Sequence, residues 1–299
     1  MQMIGGNTQV YGIVGNPVRH TMSPKIHNFL AELLGHDLVY LPFEVSGDVM
    51  TAVRGAYELG IRGMNVTVPY KSAVIRALAE VDAEAERIGA VNTLVGTDGG
   101  YKGYNTDVTG LRRELQEEGI SISGERVIIL GAGGAARAAA MMCAADGARE
   151  IYIWNRNREK AVNLAEDVKH NLSAEDSTDA SIGTVQVQAL GDMEYEQLSD
   201  TKYIAFQCTP VGLSPHTGEA VIEDSKFYRQ LKYAVDLIYI PKRTRYMELA
   251  EEAGVYAVNG AKMLIYQAIA AYELWNDVVL SQEVIGQLFA HMVQEGLIE

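Results

Sequence analysis

Two periods of apolar residues take turns along this chain. Short apolar runs at VYGIVG (10–15) and LVYLPFEV (38–45) read as strands, whereas PKIHNFLAELLG (24–35) and VMTAVRGAYELG (49–60) carry the helical repeat. Such alternation predicts a mainly parallel sheet covered by helices, the α/β class. The cycle begins again after Gly124, where RVIILGAGGAARAAAMMCAADG, REIYIWNRN and REKAVNLAEDV give strand, glycine turn, helix, strand, turn and helix. Between the cycles, TGLRRELQEEG (Thr109 to Gly119) is a charged helix with a thin apolar face, the character of an interdomain connector. The polar stretch from Val168 to Asp192 has no periodicity and reads as a long surface loop. The pattern predicts one α/β domain over residues 1–108 and a second over 109–258. Residues 259–299 form helices that return to the first.

At 299 residues and 48% hydrophobic content the chain can bury two cores. Lys and Arg total 25 against 39 Asp and Glu, a net charge of −14 that disfavours nucleic acid and anionic membranes. Cys143 and Cys208 lack metal-ligand spacing and read as free thiols of a reducing compartment. MQMIGGNTQV has no basic region followed by an apolar run, and no stretch approaches the ~18 apolar residues of a span. These features predict a cytoplasmic protein without a bound metal, a membrane partner or a nucleic-acid partner. Apolar edge strands in the first domain permit a homodimer.

The second cycle opens on VIILGAGGAA (127–136). Gly131 and Gly133 suit a tight turn and close approach of a pyrophosphate, and Ala136 lets the following helix lie against the strand, the fingerprint of a Rossmann-type dinucleotide fold. At the end of the next strand, IYIWNRNREK lacks the acid that would hold an NAD ribose. Asn155 can bond a ribose, and Arg156 can pair with a 2′-phosphate, with Arg158 or Lys160 adding charge; NADP is therefore expected over NAD.

In the first domain, GNPVRHTMSPKIH places Ser23 as an N-cap before Pro24. A helix N-terminus with the hydroxyls of Thr21 and Ser23 also suits a carboxylate. In GMNVTVPYK the strand period puts Asn65 and Thr67 on one face, ahead of Lys71. AVNTLVGTDGGYKGYNTD reads as a hairpin. A turn centred on Gly99 and Gly100 sets Asn92 opposite Asp107, and a shifted register sets it opposite Asn105. Either way Asn92, Asn105 and Asp107 gather at the open end, a site fit for a polyol and for proton transfer.

HTMSP, NVTVPYK, AVNTL, NTD, GAGGAA, NRN, CTPVG, DLIY and NGAKMLIYQA occur in this order, and through them the chain resembles the shikimate dehydrogenases over nearly its whole length. The resemblance implies NADP-dependent, reversible oxidation of shikimate to 3-dehydroshikimate in aromatic amino-acid (chorismate) biosynthesis. It implies Lys71 and Asp107 as the catalytic pair, and Thr21, Ser23, Asn65, Thr67, Asn92, Tyr239 and Gln267 around the substrate. Gly131, Ala132, Gly133, Gly134, Ala135, Asn155, Arg156, Asn157, Lys160, Thr209, Leu237 and Gly260 would hold the cofactor. Proton transfer is assigned to the pair rather than to one member. Three positions depart from the family pattern: Thr21 in place of serine, Asn157 in place of threonine, and Gln207–Cys208 in place of Asn-Ala, the last read as a packing variation. Thr21 leaves open a quinate or dual quinate/shikimate dehydrogenase, possibly NAD-using. A ligand sensor without chemistry is a further alternative, which the presence of both Lys71 and Asp107 opposes. A two-domain folate dehydrogenase lacks the hydroxyl motif and Gln267.

Overall fold

The first apolar run forms β1 (Gln9–Gly15), whose last five residues are buried. Such burial suits a strand with parallel neighbours, here β2 (Leu38–Glu44) and β3 (Gly63–Val66). The computed structural model describes residues 4–174, 185–190, 198 and 202–298. Helix α1 (Ser23–Leu34) connects β1 to β2 and buries Ile26, Leu30 and Ala31; α2 (Val49–Glu58) connects β2 to β3 and buries Val53 and Ala56. A 3₁₀ turn at Ala73–Ala77 leads to β4 (Glu80–Val81), α3 (Ala83–Ile88), β5 (Thr93–Thr97) and β6 (Gly100–Tyr104). The six strands are ordered β2-β1-β3-β5-β6-β4, with β5 antiparallel to both its neighbours.

Two local expectations are corrected here. Ser23 does not cap α1; Met22 is the cap, without a side-chain hydrogen bond, and Ser23 is the first helical residue. The hairpin turns on Asp98 and Gly99, because Thr97 pairs with Gly100 and Thr93 with Tyr104. This is the shifted register, which carries Asn92 level with Asn105, and Asp107 falls instead in the first turn of α4 (Thr106–Glu117).

The second sheet is built from β7 (Arg126–Leu130), β8 (Glu150–Trp154), β9 (Gln186–Leu190), β10 (Tyr203–Gln207), β11 (Leu231–Asp236) and β12 (Tyr256–Val258). Helices α5 (Gly134–Ala145), α6 (Arg158–Ala174), α7 (Ser225–Arg229) and α8 (Arg245–Glu252) accompany them. Every pairing is parallel, in the order β12-β11-β10-β7-β8-β9. The chain runs outward from β7 to β9 and resumes at β10 on the other side of β7. The carboxyl ends of β7 and β10 thus flank the topological switch point at which such sheets take ligands. The loop expected over Val168 to Asp192 is partly structured: α6 continues to Ala174, and QVQAL forms β9 against β8. Val185 is also described and buried, and the rest of that stretch lies outside the described residues.

The chain ends in α9 (Ala261–Asn276) and α10 (Gln282–Gln294). It separates into one unit of Met1–Gly110 with Ile265–Glu299 and another of Leu111–Leu264. The division falls inside α4 and α9. Within the first unit, Trp275 Nε1 donates to the Leu94 carbonyl at 2.8 Å, and the Tyr272 hydroxyl meets His36 Nδ1 at 2.8 Å. Burial lowers the His27 pKa to about 3, and the ring stacks neutral on Tyr40 with centroids 4.2 Å apart. No helix among the described residues is long and apolar enough to cross a membrane.

Candidate active site and dinucleotide site

In the first unit Lys71, four residues beyond the Thr67 that follows β3, reaches Asp107 on the first turn of α4. Its Nζ donates to Asp107 Oδ2 at 2.6 Å, and both side chains are partly buried. Asn92 Nδ2 donates to the other carboxylate oxygen, Oδ1, at 2.8 Å. The amide orientation of Asn92 follows from the backbone: the Thr106 N–H can only donate, and it lies 2.7 Å from Asn92 Oδ1. The second amide hydrogen of Asn92 has no acceptor among the described residues. The loop before α1 sets the Thr21 hydroxyl 3.1 Å from Ser23 Oγ, and Ser23 is buried at 3% exposure. The hydroxyl of half-buried Thr67 has no hydrogen-bond partner among the described residues, and Gln267 is buried on α9. Asn65 is also buried, with both amide hydrogens directed to protein acceptors, the Asn92 carbonyl at 3.2 Å and Thr93 Oγ1 at 3.0 Å. Asn105 stands apart, its amide on the Ala90 carbonyl at 2.9 Å. Tyr239 belongs to the second unit, where burial raises its pKa.

In the second unit β7 is followed by Gly131, whose φ of +122° suits glycine and whose added Cβ would lie 3.2 Å from Thr209 Cγ2. Ala132 is half-buried, whereas Gly133, Gly134 and Ala135 are exposed. Gly133 is the N-cap of α5 and supplies no side chain to bond the first N–H groups of the helix. At the end of β8, Asn155 Nδ2 donates to the Asn157 carbonyl at 2.9 Å, and Asn157 Oδ1 accepts from Lys160 N at 3.3 Å. Those two amides shape the turn that leaves Arg156 and Lys160 exposed. Gly260 lies against the Leu237 carbonyl, which an added Cβ would approach to 2.5 Å.

Gln207 corrects the packing reading. Its Oε1 accepts from Thr209 N at 2.6 Å and Thr209 Oγ1 at 2.7 Å, while Nε2 donates to the carbonyls of Thr209 at 3.2 Å and Val211 at 3.0 Å. A fully buried carboxamide thus folds the loop beside Gly131. Glutamine before a TP turn gave no signal beyond its departure from the family pattern. Two buried acids also escaped notice. Asp236, at the end of β11, accepts from Thr244 Oγ1 at 2.5 Å and Ile238 N at 3.0 Å; burial outweighs these bonds and lifts its pKa to about 7. Glu114, 1% exposed on α4, has an Oε2 without a hydrogen-bond partner among the described residues, and burial raises its pKa to about 8.

Residues 13–94 match the family described as shikimate dehydrogenase substrate binding domain, and residues 113–185 that described as shikimate / quinate 5-dehydrogenase. Over 274 residues the chain is 42% identical to the shikimate dehydrogenase (NADP(+)) of Methanothermobacter thermautotrophicus, a match covering 91% of this chain and 93% of the relative. The chain belongs to the shikimate dehydrogenase family. Among solved structures, the shikimate 5-dehydrogenase of Listeria monocytogenes in complex with shikimate and NAD is similar, with a TM-score of 0.82, 34% identity, and coverage of 97% and 99% of the two chains. A shikimate dehydrogenase in complex with NADP+ gives a TM-score of 0.84 at 33% identity, covering 99% of this chain and 98% of the other. The two family regions fall one in each unit, and the Lys71–Asp107 pair and the Gly131 turn likewise belong to different units.

Proposed function

We propose that this chain is an NADP-dependent shikimate dehydrogenase that interconverts shikimate and 3-dehydroshikimate for aromatic amino-acid biosynthesis. The observation that carries the reading is the Lys71–Asp107 contact of 2.6 Å in a chain of this family. A secondary alcohol yields its hydroxyl proton as hydride leaves carbon, and Lys71 with Asp107 forms the pair that takes that proton and returns it in reduction. Two further Lys71 hydrogens and one Asn92 amide hydrogen meet no protein acceptor among the described residues and remain for substrate hydroxyls. The Thr21 and Ser23 hydroxyls receive the carboxylate, and Thr67 and Gln267 complete the polar lining supplied by the first unit.

The second unit fits a dinucleotide. Gly133 and Gly134 have nothing within 4 Å of an added Cβ, so a diphosphate can approach the backbone over the start of α5. Exposed Arg156, with Lys160, offers a 2′-phosphate its counter-charge. NADP, when bound, accepts or returns the hydride. Residues 1–108 with 259–299 form the substrate domain in this reading, and 109–258 the cofactor domain. Two cysteines outside any disulfide suit the cytoplasm, and the exposed Leu41 on edge strand β2 suits a homodimer.

The test is initial-rate oxidation followed at the reduced-nicotinamide absorbance, with shikimate and quinate each paired with NADP and NAD. Rapid turnover of shikimate with NADP supports the reading. A preference for quinate or NAD moves the specificity, and binding without turnover removes the enzyme assignment.

A further inference from the structure

Behind the Lys71–Asp107 pair lies a line of buried polar groups whose hydrogen bonds all run the same way. The Tyr40 hydroxyl donates to Asn65 Oδ1 at 2.7 Å. Asn65 Nδ2 donates to Thr93 Oγ1 at 3.0 Å, and Thr93 Oγ1 donates to Asn92 Oδ1 at 3.0 Å. Asn92 Nδ2 then donates to Asp107 Oδ1. Tyr40 is 1% exposed, Asn65 4%, Thr93 0% and Asn92 3%, so water does not substitute for any member. Burial holds the Tyr40 phenol protonated, well above its ordinary pKa, and the Ser23 hydroxyl offsets this only in part.

The direction of the line is set by groups that can only accept or only donate. The Asn92 backbone carbonyl can only accept, so the Asn65 atom facing it at 3.2 Å, which also faces Thr93, is the amide nitrogen, and the atom facing the Tyr40 hydroxyl is the oxygen. Asn92 presents oxygen to the Thr106 N–H for the converse reason. Thr93 therefore accepts from Asn65, and its single proton reaches Asn92 Oδ1 either directly or through the Thr106 hydroxyl, which lies 2.9 Å from Thr93 Oγ1 and 3.2 Å from Asn92 Oδ1. Every buried polar atom in the line is thereby satisfied, and a satisfied network of this kind holds one arrangement.

We propose that Thr93, with Tyr40 and Asn65 behind it, is a positioning residue that fixes the Asn92 carboxamide and, through it, the carboxylate of Asp107. Asn65 acts in this frame rather than by giving its amide hydrogens to substrate. The proposal rests on the dehydrogenase reading above. Valine at position 93 keeps the volume of threonine but leaves the Asn65 amide without one of its two acceptors and the Asn92 oxygen without one of its donors.

The experiment compares wild type, Thr93→Val, Thr93→Ser, Asn92→Ala and the Thr93→Val/Asn92→Ala double variant. Shikimate oxidation at saturating NADP is measured across pH, and melting temperature is recorded alongside. Thr93→Val is expected to lower kcat about tenfold or more, with its pH profile displaced and KM for NADP unchanged. Thr93→Ser should return kcat to within about threefold of wild type. In the double variant the valine should cost nothing beyond Asn92→Ala alone, as for two residues acting through one contact. A valine effect equally large in the Asn92→Ala background overturns the proposal, as does a lowered melting temperature with kcat and pH profile unmoved. A wild type that binds but does not oxidise shikimate overturns the dehydrogenase reading instead.

Discussion

The Gln207 carboxamide clasps Thr209 from both ends, its oxygen taking the Thr209 N–H at 2.6 Å and its nitrogen reaching the Thr209 carbonyl at 3.2 Å. Leucine there retains the bulk and removes these bonds, leaving the loop beside Gly131 to find another arrangement. A buried group left unpaired costs about 1–3 kcal/mol, so Gln207→Leu should weaken NADP binding by about tenfold or more. Quenching of intrinsic fluorescence on NADP titration reads this without turnover, and an unchanged Kd would return Gln207 to plain packing.

Lys71→Ala removes the cation from Asp107 and the proton carrier from the pair. Loss of a positioned acid–base group lowers turnover about 10²- to 10⁴-fold. Steady-state kinetics should show that fall in kcat with the NADP Kd unchanged; a variant as fast as wild type removes Lys71 from the chemistry.

Arg156→Ala tests the cofactor assignment. A charge-assisted hydrogen bond contributes roughly 1.5–3 kcal/mol, so affinity for NADP should drop about ten- to hundredfold while affinity for NAD stays level. Calorimetric titration with both dinucleotides separates the two, and an equal loss for both would mean that Arg156 reads something other than the 2′-phosphate.

Glu114 gives the fold a dependence on pH. Its pKa rises from the ordinary 4.5 to about 8, first through burial, so folding favours the neutral acid. That contribution is complete below about pH 4.5, declines as pH climbs through the interval, and is gone above about pH 8. Glu114→Gln should therefore raise the melting temperature at neutral and alkaline pH, by an amount corresponding to on the order of a few kcal/mol. Scanning calorimetry across pH checks it; parallel curves for the two proteins would show that Glu114 does not titrate in this way.

Much of the fold could be read from the chain because several of its strands hold apolar runs and its helices keep their period, as in VIIL of β7 and PKIHNFLAELL. Boundaries set by tertiary contact were harder. QVQAL looks like part of a polar loop until β8 is available as a partner, and adjacent DG and GG pairs offer two hairpin registers of similar local cost. Lys71, Asp107 and Asn92 were legible as candidates because each sits in a polar motif at an element's end. Tyr40 and Gln207 were not, since a tyrosine in a strand and a glutamine at its end look alike whether they pack or organise polar neighbours.

The first unit is interrupted in the chain by the whole of Leu111–Leu264. On the ribosome, at about 5–20 residues per second, the Leu94 carbonyl waits roughly ten to thirty seconds for the Trp275 indole that will bond it. The nascent first unit spends that interval with one flank of its sheet uncovered, while the second, continuous in sequence, is able to close on its own. Vectorial synthesis thus favours the dinucleotide unit as the earlier to mature, and places the strongest demand for chaperone protection on the unit that holds Lys71 and Asp107.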